Sequence, residues 1–475
     1  MKKGIFTLIG IIGIGLSLMA QQPVFEWATS YQGNDGANCY SIAADSMGNV
    51  YAVGSFNGTY DFDPGSGIVE LTSNGNLDIF ITKTAVNGNL VWAKSLGGTS
   101  YDEANSVIAD SAGNIYLTGY FKEFMDFDPG SGVHILPSNG HKDIFLIKLD
   151  SLGDFEWGFN IGANGADEGH GLDFDPLGNI MVTGHFDYSV DFDPGTGTSN
   201  IFSSGSNDSF VLLVGSNGNY VWAKSFGSTS SVFSESIKCD GSGNIYISGR
   251  ASGSIDFDPG TSTYNLTSNG SYDGFILKLT STGIFTWAKL FGGTGSEICN
   301  DVAFDQNGNV YTTGSFEGTV NFNPGAGTYN LTSNSNSDIF ILKVNSAGSF
   351  QWAHSNGAVS TYTYNDAGMS LCIDANNNIY STGYFYGIVD FDPGPGITEL
   401  SGGNSSDAYI LKLDASGTLI WAFNIAGNNG GYALSLDSEN SIFVGGRFTG
   451  TSDFDPNFLT YEMTSNNSYD IFLLK

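Results

Sequence analysis

The chain has 475 residues, among them 66 Gly, 35 Phe, 23 Tyr and 7 Trp, and a formal charge of −32. Such a surface repels a phosphate backbone, which excludes nucleic acid as a partner and favours divalent cations or basic partners. The polar residues are mostly Asn, Ser, Thr and Asp; with Gly and Asx supplying turns and aromatics supplying packed strands, the composition predicts an all-β protein.

Residues 1–20 begin with Lys2 and Lys3, continue as an apolar run and end in Ala20, the pattern of a secretory signal peptide cut before Gln21. The run is too short to span a membrane, and no later stretch is apolar enough to do so. The mature chain, residues 21–475, is therefore expected outside the cytoplasm: secreted, periplasmic or on the outer cell surface.

A repeat of about 65 residues then organises the rest. Trp27, Trp92, Trp157, Trp222, Trp287, Trp352 and Trp421 recur at steps of 65 and finally 69, and Pro64, Pro129, Pro194, Pro259, Pro324, Pro393 and Pro456 keep nearly the same spacing. One unit reads, from residue 104, ANSVIAD, a turn, NIYLTGYF, an insert KEFMDFDPGSGVHILPSNGHK, DIFLIKLD, a turn, and DFEWGFNIG. Four strand-length segments joined by Gly, Asn and Asp turns predict a four-stranded antiparallel meander, and seven such units predict a seven-bladed β-propeller. The opening VFEWATS reads as a fourth strand lacking its other three, and the closing DIFLLK as a third strand lacking its fourth. The two termini are thus expected to share the last blade and close the ring as one monomeric domain, with no residues left for an appended catalytic, anchoring or sorting domain.

In such a meander the insert after strand two and the loop after strand four emerge on one face, and the short turns on the other. Each insert opens with DFDPG or a close variant. Its carboxylates are Asp61 and Asp63, Asp126 and Asp128, Asp191 and Asp193, Asp256 and Asp258, Asp390 and Asp392, and Asp453 and Asp455, while the fifth copy carries Asn321 and Asn323. One reading is a small hairpin over the blade top, with an inward Phe, an Asp cap and a Pro-Gly reversal. The other is calcium, which takes several hard oxygen ligands. Asn at both positions of the fifth copy favours the turn, since caps survive that exchange better than a cation site does. The Asp that opens each turn after strand one, as in Asp45 and Asp110, and the Asp before each strand three, as in Asp78 and Asp143, are likewise read as turn caps.

One position varies sharply. The residue after the strand-two Gly is Ser55, Tyr120, His185, Arg250, Ser315, Tyr384 or Arg447, so Tyr120, His185, Arg250, Tyr384 and Arg447 are candidate ligand-binding residues. Asp167, Glu168 and His170 form the weak catalytic candidate, with His185 expected near the same rim as a partner in acid–base or metal chemistry. Arginine occurs only at 250 and 447, and no serine elbow, phosphate loop or HExxH zinc motif is found. Cys39, Cys239, Cys299 and Cys372 occupy unequal repeat positions and are read as buried free thiols.

DIFLIKLDSLGDFEWGFNIG followed by DEGHGLDFDPLGNIMVTGHF resembles the bacterial β-propeller repeat called SBBP, found in secreted and cell-surface proteins. That resemblance implies the propeller architecture and a surface or secreted setting. The leading functional reading is non-enzymatic: recognition of an extracellular protein or glycan, or a structural role, through the insert-bearing face, with no obligatory cofactor. The competing reading is an extracytoplasmic polysaccharide hydrolase or lyase using acidic residues of that face.

Overall fold

The computed structural model describes residues 22–358, 364–402, 405–456, 459–466 and 468–475; the predicted signal peptide lies outside them. The protein is all-β, built of repeated four-stranded antiparallel units in a propeller-like arrangement. The second unit is typical, with strands Glu103–Ala109, Ile115–Phe121, Asp143–Leu149 and Phe155–Ile161 paired in sequence order. Strands two and three of each unit are buried along almost their whole length, as sheets covered on both faces require. Among the described residues no helix is long and apolar enough to cross a membrane.

The Asp residues do what the turn reading expects. Asp110 Oδ1 accepts the amides of Ala112 and Asn114, and Gly113 takes a φ of 81° to complete the reversal. Asp143, which opens strand three, accepts the amide of Asn139 and the side-chain amides of Asn139 and Asn160. Burial pushes the carboxyls at this position upward, Asp78 and Asp407 to about 6.

Neighbouring units are tied together by the chain's recurring features. Trp92 Nε1 donates to the Ser151 carbonyl in the next unit's turn, and Trp27 and Trp287 make the equivalent bond to Val86 and Ser346. First strands of adjacent units also meet: Ser41 Oγ accepts from Val107 N, Ser106 Oγ from Leu172 N, and Asp301 Oδ2 from Leu371 N. The same kind of contact joins the first unit to the last, where Ala44 N donates to Ser435 Oγ at 3.2 Å. The N-terminal strand Ala28–Gly33 pairs with the C-terminal strand Asp470–Leu474, Ala28 opposite Leu474. Strand Leu419–Leu436 runs without a break from the fourth strand of the sixth unit into the first strand of the seventh.

The DFDP inserts are hairpins, as expected, but they do more than cover their own blade. In the second unit Phe124–Asp126 pairs with Ile135–Pro137 and also with the preceding unit's fourth strand, Met125 opposite Gly98. The hairpins of the first and fourth units are stitched to the preceding fourth strand in the same way. Their phenylalanines, Phe62 to Phe454, are all buried, and Phe127 packs against Phe121 and Phe145. Each contributes roughly 1.5–3 kcal/mol of apolar burial. Cys39 and Cys299 are buried free thiols as expected, whereas Cys239 and Cys372 are only partly buried.

Candidate functional site

Every first strand carries a β-bulge at the same place. The register skips one residue against strand two in all seven units, leaving Tyr40, Asn105, His170, Glu235, Asn300, Met369 and Tyr432 outside the ladder. Opposite the bulge stands a glycine, such as Gly54, Gly119 or Gly184. A Cβ on that glycine would fall onto the carbonyl oxygen two residues before the bulge, Asn38, Glu103 and Glu168 in these three units. Only glycine therefore lets the bulged backbone approach so closely.

Six units thus present three side chains together: the bulge residue, the residue two before it, and that residue's partner on strand two, which is the variable position seen in the sequence; in the seventh the middle residue is Gly430. In the third unit these are His170, Glu168 and His185, with Glu168 directly opposite His185. In the fourth they are Glu235, Phe233 and Arg250, with Phe233 opposite Arg250. The two sets merge. His170 lies with Nε2 3.7 Å from Glu168 Oε2 and Nδ1 3.2 Å from Glu235 Oε2, and Glu235 Oε1 lies 3.3 Å from an Arg250 Nη. The His170 and His185 rings are 5.2 Å apart, and His185 meets Phe233 edge-on. Towards the second unit, Lys142 binds Glu168 Oε1 at 2.7 Å and lies over the Tyr120 ring, whose hydroxyl donates to Glu103 at 2.6 Å.

Burial and charge split the titration of these groups. Burial and the neighbouring His170 hold His185 neutral, lowered to about 3. Burial also opposes the charge on His170, but the Glu235 and Glu168 carboxylates outweigh it and raise the imidazole. For Glu235 burial acts upward, yet His170 and Arg250 hold it down at about 2. Glu168 is lowered in the same manner, burial being outweighed by His185, His170 and Lys142. Deeper along the same strands Lys238 is raised, burial being outweighed by Asp173 and Asp301.

The other candidates fall as follows. Asp167 stands apart from this cluster: its carboxylate accepts the amides of Ala163 and Asp187, a backbone duty, and burial raises it to about 6. Arg447 donates to Asn38 and lies 4.3 Å from the Tyr469 ring centre and 5.4 Å from that of Tyr432, with Tyr384 6.3 Å beyond Tyr432. Beside it opens a polar pocket of about 340 Å³ lined by Asp35, Asn38, Asn57, Asn76, Tyr101 and Tyr469. In the DFDP hairpins Asp126 Oδ1 accepts the amides of Asp128 and His134, and Asp128 Oδ1 that of Gly130. Asp61, Asp191, Asp256, Asp390 and Asp453 each accept the same two amides, and Asp63, Asp193, Asp258 and Asp392 the following glycine amide. Asp455 donates its amide to Asp453; Asn457 of this copy lies outside the described residues.

Sequence reasoning missed Glu235, Tyr432 and the other bulge residues, apart from His170. The signal was present: a glycine in the middle of every strand two marks a close backbone approach.

Comparison with known proteins agrees with the repeat. Residues 91–120 and 286–315 match the family model described as the SBBP β-propeller repeat, a partial match that supports a bacterial propeller-repeat assignment. Both matches run from a fourth strand through the next bulge to the variable residue, Tyr120 or Ser315. An uncharacterised WD repeat-containing protein of Acanthamoeba polyphaga mimivirus is 24% identical over 469 residues, covering 80% of this chain and 33% of that protein. The regulatory protein FlaEY of Caulobacter vibrioides is 23% identical over 236 residues, covering 48% of this chain and 24% of that protein. The chain thus spans about a third and about a quarter of these relatives' lengths. A solved structure of a protein of unknown function from Bacteroides caccae matches with a TM-score of 0.34 and 12% identity, over 73% of this chain and 89% of that one.

Proposed function

We propose that the chain is a seven-bladed propeller acting outside the cytoplasm on a polysaccharide, as a hydrolase or lyase, with the bulge-lined mouth as its active site. Residues 21–475 form one monomeric domain in this reading, and residues 1–20 direct its export. The pairing of Ala28–Gly33 with Asp470–Leu474 and the bond from Ala44 to Ser435 support ring closure.

One observation carries the catalytic reading: the bulges bring Glu168, His170 and Glu235 into a single run with Arg250 at its end. Glycoside cleavage needs two carboxyl-type groups flanking the reacting bond, one to handle the proton and one to stabilise charge or add to the sugar. Elimination from a uronate needs a base and a cation against the sugar carboxylate, and Arg250 supplies such a cation. Incubation of the mature protein with neutral and uronate-containing polysaccharides tests this, with reducing ends reporting hydrolysis and unsaturated-product absorbance reporting elimination. Turnover is expected, and Glu235→Gln should lower kcat/KM by about 100-fold or more. Turnover undiminished in that variant would overturn the assignment.

The pocket beside Arg447, with aromatic faces and several amide side chains, favours a second reading, non-enzymatic recognition of a glycan or protein at the same mouth. Saturable glycan binding without turnover across the panel would select it.

A further inference from the structure

We propose that Glu168, His170 and His185 hold one divalent transition-metal ion, with Glu235 orienting His170. Each of the three residues presents a ligand atom within 4.8 Å of those of the other two. Two imidazoles and one carboxylate are a donor set that zinc-type ions accept while keeping a coordination position open for water or substrate. Ligand bonds of about 2.0–2.2 Å require donor separations of roughly 3–3.6 Å. The 3.7 Å gap from Glu168 Oε2 to His170 Nε2 closes to that with a small side-chain rotation, and His185 Nε2 lies 3.9 Å from the other oxygen, Oε1, of the same carboxylate.

Three further features point to an ion rather than to a packed polar core. Among the described residues His170 Nε2 and His185 Nδ1 are buried without a hydrogen-bond partner, and His185 is only 7% exposed. Such nitrogens are costly to leave unpaired. Among the described residues no hydrogen bond fixes the His185 ring, and its Nε2 already lies 3.9 Å from the Glu168 carboxylate. His170 is also backed correctly: Glu235 engages Nδ1 and leaves Nε2 facing Glu168, the carboxylate support that ligating imidazoles use. Finally, Lys142 occupies Glu168 Oε1, while Oε2 accepts no hydrogen bond among the described residues and is left for the ion. None of the other six units places three His, Cys, Asp or Glu residues at these positions; the second offers Glu103, Asn105 and Tyr120, and the fourth Phe233, Glu235 and Arg250.

The inference rests on the same mouth as the proposed function, but metal binding is read without turnover. The mature protein, stripped with a chelator, is titrated with Zn²⁺ against a chromophoric indicator and separately with Co²⁺ by visible absorption. One equivalent of each is expected, the cobalt form showing d–d bands and no thiolate charge-transfer band. His170→Ala and His185→Ala should weaken zinc about 100-fold or more, and Glu235→Gln about 10-fold. Asp126→Asn with Asp128→Asn should leave the stoichiometry unchanged. Unaltered zinc affinity in folded His170→Ala and His185→Ala proteins would overturn the proposal. So would a cobalt titration of the unmutated protein without a saturating spectral change at one equivalent, a result that does not depend on any variant folding. Stoichiometric metal without polysaccharide turnover would sink the enzyme reading and leave this site standing.

Discussion

In the DFDP hairpins and in the first-strand bulges the same backbone device recurs in seven units, yet the side chains behave in opposite ways. At the hairpins Asp or Asn recurs because its oxygen is spent on the chain itself: Asp126 and Asn321 hold equivalent amides with equivalent atoms. At the bulges only the facing glycine recurs, since it alone serves the backbone. The residues that project from the bulge vary among the units, with five residue types at seven positions: Tyr40, Asn105, His170, Glu235, Asn300, Met369 and Tyr432. Repetition thus marks where side chains complete the fold, and divergence marks where the fold does not dictate them.

The hardest blow to this contrast is Gly184→Ala. The added Cβ meets the Glu168 carbonyl, so the bulge must move; a loss of about 3 kcal/mol in chemical denaturation is expected, together with loss of zinc binding. Wild-type stability in that variant would show that glycine does not license the bulge.

A pH series comes next, because it separates supporting carboxylates from those of the mouth. Burial, chiefly, lifts Asp102, Glu297 and Asp366 to about 7. Their folded pKa lies above the unfolded value near 4, so their contribution is fully present below about pH 4 and is lost as pH rises to about 7. Asp102 also faces Asp78 and Glu123, whose charges push the same way. The urea midpoint should therefore fall from about pH 5 to about pH 8, and Asp102→Asn should flatten that fall. A midpoint that rises over this range would contradict the assignment.

At the hairpins Asp126→Ala should cost about 1 kcal/mol through two unpaired amides, and Asp126→Asn only a few tenths, since Asn321 already does that work. Equal losses in the two variants would mean that charge, not the oxygen, matters there. The smallest effect is expected from calcium, which should barely move the thermal midpoint. A large rise that disappears in the Asp126→Asn, Asp128→Asn double variant would make the hairpins cation sites.

Much of the architecture was legible because it depends on local periodicity. The 65-residue spacing of Trp27 to Trp352, the alternation in DIFLIKLD and the Asp–Gly turns are short-range patterns, and each maps onto its element. The candidate site was half legible. The variable residues His185 and Arg250 stood out, and so did Glu168 and His170, but Glu235 lies 65 residues beyond His170 and looks like any polar residue of a strand. The attachment of the first, second and fourth DFDP hairpins to the preceding fourth strand was also hidden, since a hairpin's own sequence does not name the neighbour its outer edge will meet.

By itself, the sequence determined the strands, their turns and their sevenfold recurrence, because turn chemistry and side-chain alternation act within a few residues. Only the tertiary structure decided that Asp167 serves the backbone while the adjacent Glu168 meets Lys142 and His170. Successive strand residues point to opposite sides, and a bulge resets that alternation by one residue. Which side chains converge from different units is therefore fixed by packing between sheets, over distances that no local pattern records.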